Sequence, residues 1–451
     1  MAAPEPQAEI SRLVSAVFEA WRRAGIPFLV LRNYEGLPAL TGNDLDVLVA
    51  SAQLGPAEAA LLAAARATGF RPHNRGEFAA TLALYLSGLE SNAQAHFDLY
   101  TGLRWRGVDF LDSRALLEGK VERGWFAVPR PAHEAAASLL ENLLYHGKIK
   151  EKYRAAIAAG FRTGRAEAVE LLARTWGPAR AQSLVAAGGA EKWAEIEAGA
   201  GALRRALLLR QGGRRPWRTA AVLLAEAARL ARRVASPPGL AVVLCGADGS
   251  GKSTAAQAII EGLRPTFSPQ RGRQFHWKPP LFSARRRAAR GPITAPHAQP
   301  PRSRTASLLF FGLHWLEFFL GWPCCVQPAL LRGGLVLIDR YYYDFFVDQR
   351  RYRLRVPPWL VRLGYRLLAK PDLVLLLDAP VEALQSRKRE VPPAESQRQR
   401  TAYLELVQGL PCGRVIDAAQ PPEKVAAQLE RLILDFLARR LSRRERPVLG
   451  R

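Results

Sequence analysis

The nine residues "GADGSGKST", Gly246 to Thr254, gather three glycines, a lysine and three hydroxyls into one short stretch. Glycine reaches positive φ without steric penalty, so such a stretch can turn successive backbone N–H groups inward onto an anion. The apolar run "LAVVLC" leads into it and the helical sequence "STAAQAIIEGL" leads out, which adds the positive end of a helix to the same cradle. The chemistry that this spacing serves is phosphate binding. Gly246, Ala247, Asp248, Gly249, Ser250, Gly251, Lys252, Ser253 and Thr254 would wrap the phosphates of Mg·ATP, with Lys252 on the β/γ oxygens and the Ser253 hydroxyl on Mg²⁺.

A second group follows the apolar run "GLVLI". Asp339 and Arg340 come just after it, where open α/β sheets place their ligands. Asp339 is a candidate for the magnesium shell and Arg340 for gripping an acceptor oxyanion, although the two could also merely pair with each other. Asp344 and Asp348 are four apart on a predicted helix, and a solvated acidic face is the reading for one of them. After "PDLVLLLD" the arginines Arg387, Arg389, Arg398 and Arg400 suit a closing lid that excludes water and stabilises charge developing in phosphoryl transfer, with Arg389 as a catalytic candidate. A separate constellation lies near the N-terminus. In "GNDLDVLVA" period two puts Asp44 and Asp46 on one face of a strand, and Asp98 of "AHFDLY" would complete a cluster able to hold divalent ions.

The elements that must position these groups fall into three segments. Residues 1–129 read as α+β: a helix from Ile10 to Ala24, strands at "PFLVLR" and "LDVLVA", an Ala-rich helix, then strands near "TLALYLS" and "AHFDLY". Residues 130–236 have helical spacing with almost no strand signal and end at the turn "SPPG". Residues 237–451 carry the unalternated runs "LAVVLC", "GLVLID" and "PDLVLLLD" and a short "GRVIDA", the pattern of a parallel sheet covered on both faces. The Pro- and Arg-rich stretch "HWKPPLFSARRRAARGPITAPHAQPPRSRT" reads as a loop or lid. The apolar stretch "ASLLFFGLHWLEFFLGWPCCVQPALL" is broken by His314, Glu317 and Pro323 and reads as a buried helix.

At 451 residues, two or three domains are expected, and 49% hydrophobic residues against 23% charged exclude wholesale disorder. The net charge of +25 leaves two readings open: an anion-binding surface, which could include peripheral membrane contact, or arginines dispersed over many helices. Four cysteines, at 245, 324, 325 and 412, lack zinc spacing and are too few to staple the chain. With no signal-peptide pattern at the start, the expected location is a reducing cytoplasm.

On the "GADGSGKST" loop, the "DRY" at 339–341 with Gln349 beyond it, "PDLVLLLD" and "GRVIDAAQPPEKVAAQL", the last ~215 residues resemble the thymidylate kinase family of P-loop nucleoside monophosphate kinases. The resemblance implies ATP and Mg²⁺ at the loop, Asp248 facing the acceptor, Arg340 on acceptor phosphate and Arg387 near the adenine. The acceptor side departs from the family. "RQFHWKPPLFS" stands where the family has an Arg-Glu-Pro-Gly-Gly turn, and Asp344 replaces the Ser expected after "DRY". His276, Trp277 and Lys278 would then offer a stacking ring and a charge to a sugar-based acceptor, similar to divergent kinases among bacterial surface-polysaccharide proteins. The first segment resembles the nucleotidyltransferase superfamily through Asp44, Asp46 and Asp98, with Arg32 and Asn33 where that family has a Gly-Ser turn. The leading expectation is an α/β P-loop kinase acting on a nucleotide or sugar-derived small molecule, with no specific nucleic acid partner and with a dimer left open. Nucleotidyl transfer by the first segment and an ATP-dependent switch are the alternatives.

Overall fold

Leu13, Val14, Val17, Phe18 and Trp21 recur at three- and four-residue spacing, and they are the buried side of the first helix, α1 (Pro6–Arg23). The computed structural model describes residues 6–39, 44–78, 80–214, 224, 227–228, 230–279, 281, 299–389 and 391–445. Its chain divides into two units, Met1–Ala231 with Asp435–Arg451, and Arg232–Leu434.

In the first unit β1 (Phe28–Val30), β2 (Leu45–Val49), β3 (Phe70–Phe78), β4 (Thr81–Gly88) and β5 (Gln94–Tyr100) form one sheet in the order β1-β2-β5-β4-β3. The β2–β5 pair is parallel and sets Asp46 opposite Asp98; the other pairs are antiparallel. The helix α2 (Leu54–Ala67) and α1 contribute to the core beside this sheet. The strand β3 was not foreseen, because "FRPHNRGEF" carries Pro72 and Gly76; it lies at the sheet edge, where a missing N–H is tolerated, and its register shifts between Pro72 and Asn74. The helices α3 (Pro131–Glu141), α4 (Glu151–Thr163), α5 (Arg165–Trp176) and α6 (Pro178–Gly189) do not make a separate core. Leu139, Phe161, Leu172 and Val185 share one with Leu29 and Leu48 of the strands.

The second unit is built on five parallel strands: β6 (Leu240–Cys245), β7 (Arg273–His276), β8 (Leu335–Asp339), β9 (Leu373–Asp378) and β10 (Gly413–Asp417). Their order is β7-β8-β6-β9-β10, every adjacent pair parallel. The first strand therefore lies in the middle, and the chain builds one side before crossing to the other. That reversal opens a crevice beyond the C-terminal ends of β6, β8 and β9. All four apolar runs read from sequence are strands here, and β7 is the addition: three of its four residues are exposed, so "RQFH" carries no burial signal.

The helix α7 (Arg304–Gly321) corrects the expectation of a buried helix. Ser307, Phe311, Glu317, Phe318 and Gly321 are buried, while Leu308, Leu309, Leu313, Leu316 and Phe319 are exposed. The stretch Arg304–Leu331 is long and apolar enough to cross a membrane by length and composition. The foreseen Pro- and Arg-rich loop lies, over residues 282–298, outside the described residues.

Candidate active site

The strand β6 ends at Cys245, and the chain then takes the turn that its glycines permit. Gly246, Gly249 and Gly251 have φ of 145°, 85° and 87°. A Cβ at Gly246 would sit 2.7 Å from the Leu377 carbonyl, and one at Gly249 would sit 2.5 Å from that of Leu384, so these positions also need glycine for room. The helix α8 (Lys252–Gly262) starts at once, its first residues bringing the helix N-terminus to the loop. The Lys252 ammonium is buried and donates to the carbonyls of Gly246 (2.9 Å) and Ala247 (3.0 Å). Burial, with the Arg340 charge adding to it and Asp339 and Asp248 opposing, brings its pKa down to about 8.

Asp339 closes β8 beside this loop. Its Oδ2 pairs with His276 Nδ1 at 2.8 Å, and its Oδ1 is buried without a hydrogen-bond partner. Burial works to raise the Asp339 pKa, but the His276 hydrogen bond and the charges of Lys252 and Arg340 hold it below the usual carboxylate value. Arg340 has φ of 73°, a left-handed residue that turns its side chain back toward the loop. Its guanidinium does not pair with Asp339. It grips Asp248 Oδ1 and reaches Asp344 Oδ2 at 3.3 Å, and burial, which favours the neutral form, is outweighed by those carboxylates, which raise its pKa.

Sequence reading missed the second arginine. Arg351 donates to Asp248 Oδ2, so both oxygens of one loop carboxylate are held by two guanidiniums. Asp344 and Asp348, expected to include a solvated face, are both buried. Asp344 accepts from Tyr403 (2.5 Å) and Tyr352 (2.7 Å) as well as Arg340. Asp348 accepts from the Arg351 backbone N–H (3.1 Å) and from Gln399 (3.0 Å). The carboxylates brace the two arginines from behind. Gln349 is not at the crevice by any hydrogen bond; it exchanges two with the backbone of Val356.

The remaining foreseen residues separate. Trp277 is buried, stacked on Tyr352 with centroids 4.0 Å apart, and Lys278 is buried against Glu317 and His314. Neither offers a face to an acceptor, which corrects that expectation: a left-handed Trp277 (φ 69°) after β7 drives both side chains into the core under α7. Of the bend arginines, Arg400 is committed bidentately to Asp378 (2.7 and 2.8 Å), and Arg398 to Glu395 and the Val347 carbonyl. Arg387 donates to the Ala418 carbonyl (3.0 Å), while Arg389 is exposed on Gln385 O. Ser253 and Thr254 are exposed at the start of α8.

Residues 245–429 match the family described as thymidylate kinase. The thymidylate kinase of Xanthomonas euvesicatoria is 30% identical over 225 residues, covering 46% of this chain and 88% of that protein. That of Chromohalobacter salexigens is 30% identical over 197 residues, covering 42% and 86%. The chain belongs to the thymidylate kinase family. A solved thymidylate kinase from Ehrlichia chaffeensis matches at 16% identity and a TM-score of 0.34, over 43% of this chain and 98% of its own. The matched residues all fall in the second unit.

As a member of the thymidylate kinase family the chain is a P-loop phosphotransferase that uses ATP and Mg²⁺. The residues present fit both. Gly246 and Gly249 leave a cradle that a Cβ would fill, the Ser250 hydroxyl is buried without a partner, and Asp339 keeps one unpaired oxygen.

The N-terminal cluster forms differently from the D-x-D expectation. Asp44, His96 and Asp98 bring one ligand atom each within 4.8 Å of one another. Asp46 instead pairs with Arg32, whose guanidinium also binds Glu141 at 2.7 Å. Burial opposes the Arg32 charge, yet Asp46 and Glu141 raise its pKa above the ordinary value. Burial, then the Asp46 charge, raises the pKa of Asp44. His96 was legible only as the residue two before Asp98, on the same strand face.

Proposed function

We propose that this kinase transfers the γ-phosphoryl group of Mg·ATP to the phosphate of a small phosphomonoester, a nucleotide or a sugar phosphate, at the crevice between the loop and Arg340. The carrying observation is the grip of Arg340 and Arg351 on the Asp248 carboxylate. Two guanidiniums converging on one anion next to a phosphate-binding loop are suited to an acceptor's oxyanion, which would replace Asp248 in that grip. Lys252 would hold the transferring phosphoryl group's charge, Ser253 and Asp339 are the residues to hold Mg²⁺, and Mg²⁺ would neutralise phosphate charge there. Arg387 and Arg389 lie on and just beyond the helix Val381–Arg387 and are proposed to close over the donor.

The acceptor is proposed to differ from thymidylate in its non-phosphate part, since "RQFHWKPPLFS" replaces the family's turn there, and a role in surface-polysaccharide metabolism is in keeping with that change. Trp277 and Lys278 no longer support this reading; the phosphate grip does not depend on them. Coupled ADP detection on the full chain with Mg·ATP and a panel of nucleoside monophosphates and sugar phosphates tests the proposal. The expected result is ADP formation that needs one of these esters and disappears in Lys252→Met. ADP formation indifferent to every acceptor, or unchanged in that variant, refutes it.

A further inference from the structure

His96 and Asp98 stand two apart on β5, so their side chains leave the same face of the sheet, and Asp44 enters the neighbouring parallel strand beside them. His96 Nε2 lies 3.0 Å from Asp98 Oδ1, with the two side chains 12% and 16% exposed. All three donor atoms fall within 4.8 Å of one another. The His96 ring is held in place by Tyr85, stacked on it with centroids 4.0 Å apart and 17° between planes. The stacking restricts rotation of the ring, which leaves Nε2 directed toward Asp98.

Asp46 is the residue that separates this cluster from a two-ion arrangement. It is 1% exposed, its Oδ2 is taken by Arg32, and Arg32 is in turn fastened to Glu141. Arg32 thus supplies in the fold the positive charge that a second ion would supply at a bridging carboxylate. The Asp46 Oδ1 atom is buried beside the cluster without a hydrogen-bond partner. Two carboxylate oxygens and one imidazole nitrogen remain as the donor set. A nitrogen ligand favours a transition ion over Mg²⁺ or Ca²⁺, and three protein ligands leave coordination positions for water or an anionic oxygen.

We infer that the N-terminal unit binds one divalent transition-metal ion through Asp44, His96 and Asp98, with Asp46 held out of the ligand set by Arg32. This site takes one ion, whereas nucleotidyl transfer by a two-metal route would need Asp46 as a bridge.

Titration of the nucleotide-free full chain with Co²⁺, followed by visible absorption, tests the inference. One equivalent is expected, with affinity lowered roughly 100-fold or more in His96→Ala and about tenfold less affected in Asp46→Asn, whose carboxylate acts on the site only as a neighbouring charge. Absence of stoichiometric binding, an unaffected His96→Ala, or an Asp46→Asn loss as large as that of His96→Ala overturns it. Because Asp46→Asn also disturbs a buried ion pair, the wild-type chain loaded with Zn²⁺ gives an independent reading by X-ray absorption. One imidazole nitrogen among oxygens is expected, and a shell without imidazole overturns the inference.

Discussion

Lys252 makes a prediction whose sign and size can both be worked out. Its ammonium is buried at the loop and held only by the carbonyls of Gly246 and Ala247. Burial first, and the Arg340 charge next, bring its pKa from 10.5 to about 8. The unfolded chain therefore binds more protons than the folded one between pH 8 and 10.5, so stability rises with pH across that window. A difference of this size corresponds to about 3 kcal/mol, fully present above pH 10.5 and lost as pH falls through 8. Lys252→Met keeps most of the volume and removes the titration. Urea unfolding of wild type and variant at pH 7 and pH 10.5, read on the transition that Mg·ATP shifts, should show the wild type gaining about 3 kcal/mol on the variant at the higher pH. A difference that is flat in pH, or that grows as pH falls, refutes the reasoning. ATP phosphates beside the ammonium restore its charge, so binding at pH 8.5 should take up a fraction of a proton, seen as a buffer-dependent heat in calorimetry.

Asp344→Asn keeps the shape of a fully buried side chain but leaves Arg340 with less countercharge, and thermal or urea unfolding should show a loss of about 3–5 kcal/mol, the usual cost of breaking a buried pair. Arg351→Met should raise the KM of whichever phosphomonoester is accepted at least ~10-fold while leaving that for ATP unchanged, because one charge-assisted contact is lost from the acceptor grip only. Gly249→Ala places a Cβ 2.5 Å from the Leu384 carbonyl at a φ of 85°, which should cost about 1–3 kcal/mol and weaken ATP binding in a direct titration.

The donor side was legible because its requirements are local. A positive-φ glycine, a buried strand before it and a helix after it are properties of a dozen consecutive residues, and Gly246, Gly249 and Lys252 stand as that pattern demands. The side proposed for the acceptor was not, because it is assembled from side chains whose surroundings depend on which way the backbone turns. Asp344 and Asp348 have helical spacing that suits solvent equally well; burial followed from Tyr352, Tyr403 and Gln399 arriving from elsewhere in the chain. Trp277 and Lys278 look like binding groups in a list of residue types, and a single left-handed residue at 277 puts them in the core instead. His96 was hidden for a similar reason. A D-x-D pair invites three carboxylates, and only the position of Arg32 shows that one of them is already neutralised.

The charge count around Arg340 and Arg351 constrains how an acceptor phosphate would enter the proposed grip. Arg340 and Arg351 face Asp248, and behind them stand Asp344 and Asp348, so two cations meet three carboxylates in a largely buried cluster. An acceptor phosphate cannot simply add to this set, because its charge would face Asp248 at the same two guanidiniums. In the proposed grip it would take over the hydrogen bonds that Arg340 and Arg351 donate to Asp248, which would then turn away or accept from a neutral part of the acceptor. Asp248 follows Ala247, whose carbonyl holds Lys252, and precedes Gly249, whose positive φ lets the loop turn there. If the proposed acceptor displaces Asp248 and that motion reaches Lys252 through Ala247, the coupling is reciprocal: a nucleotide that draws Lys252 away would also loosen Asp248 from the arginines.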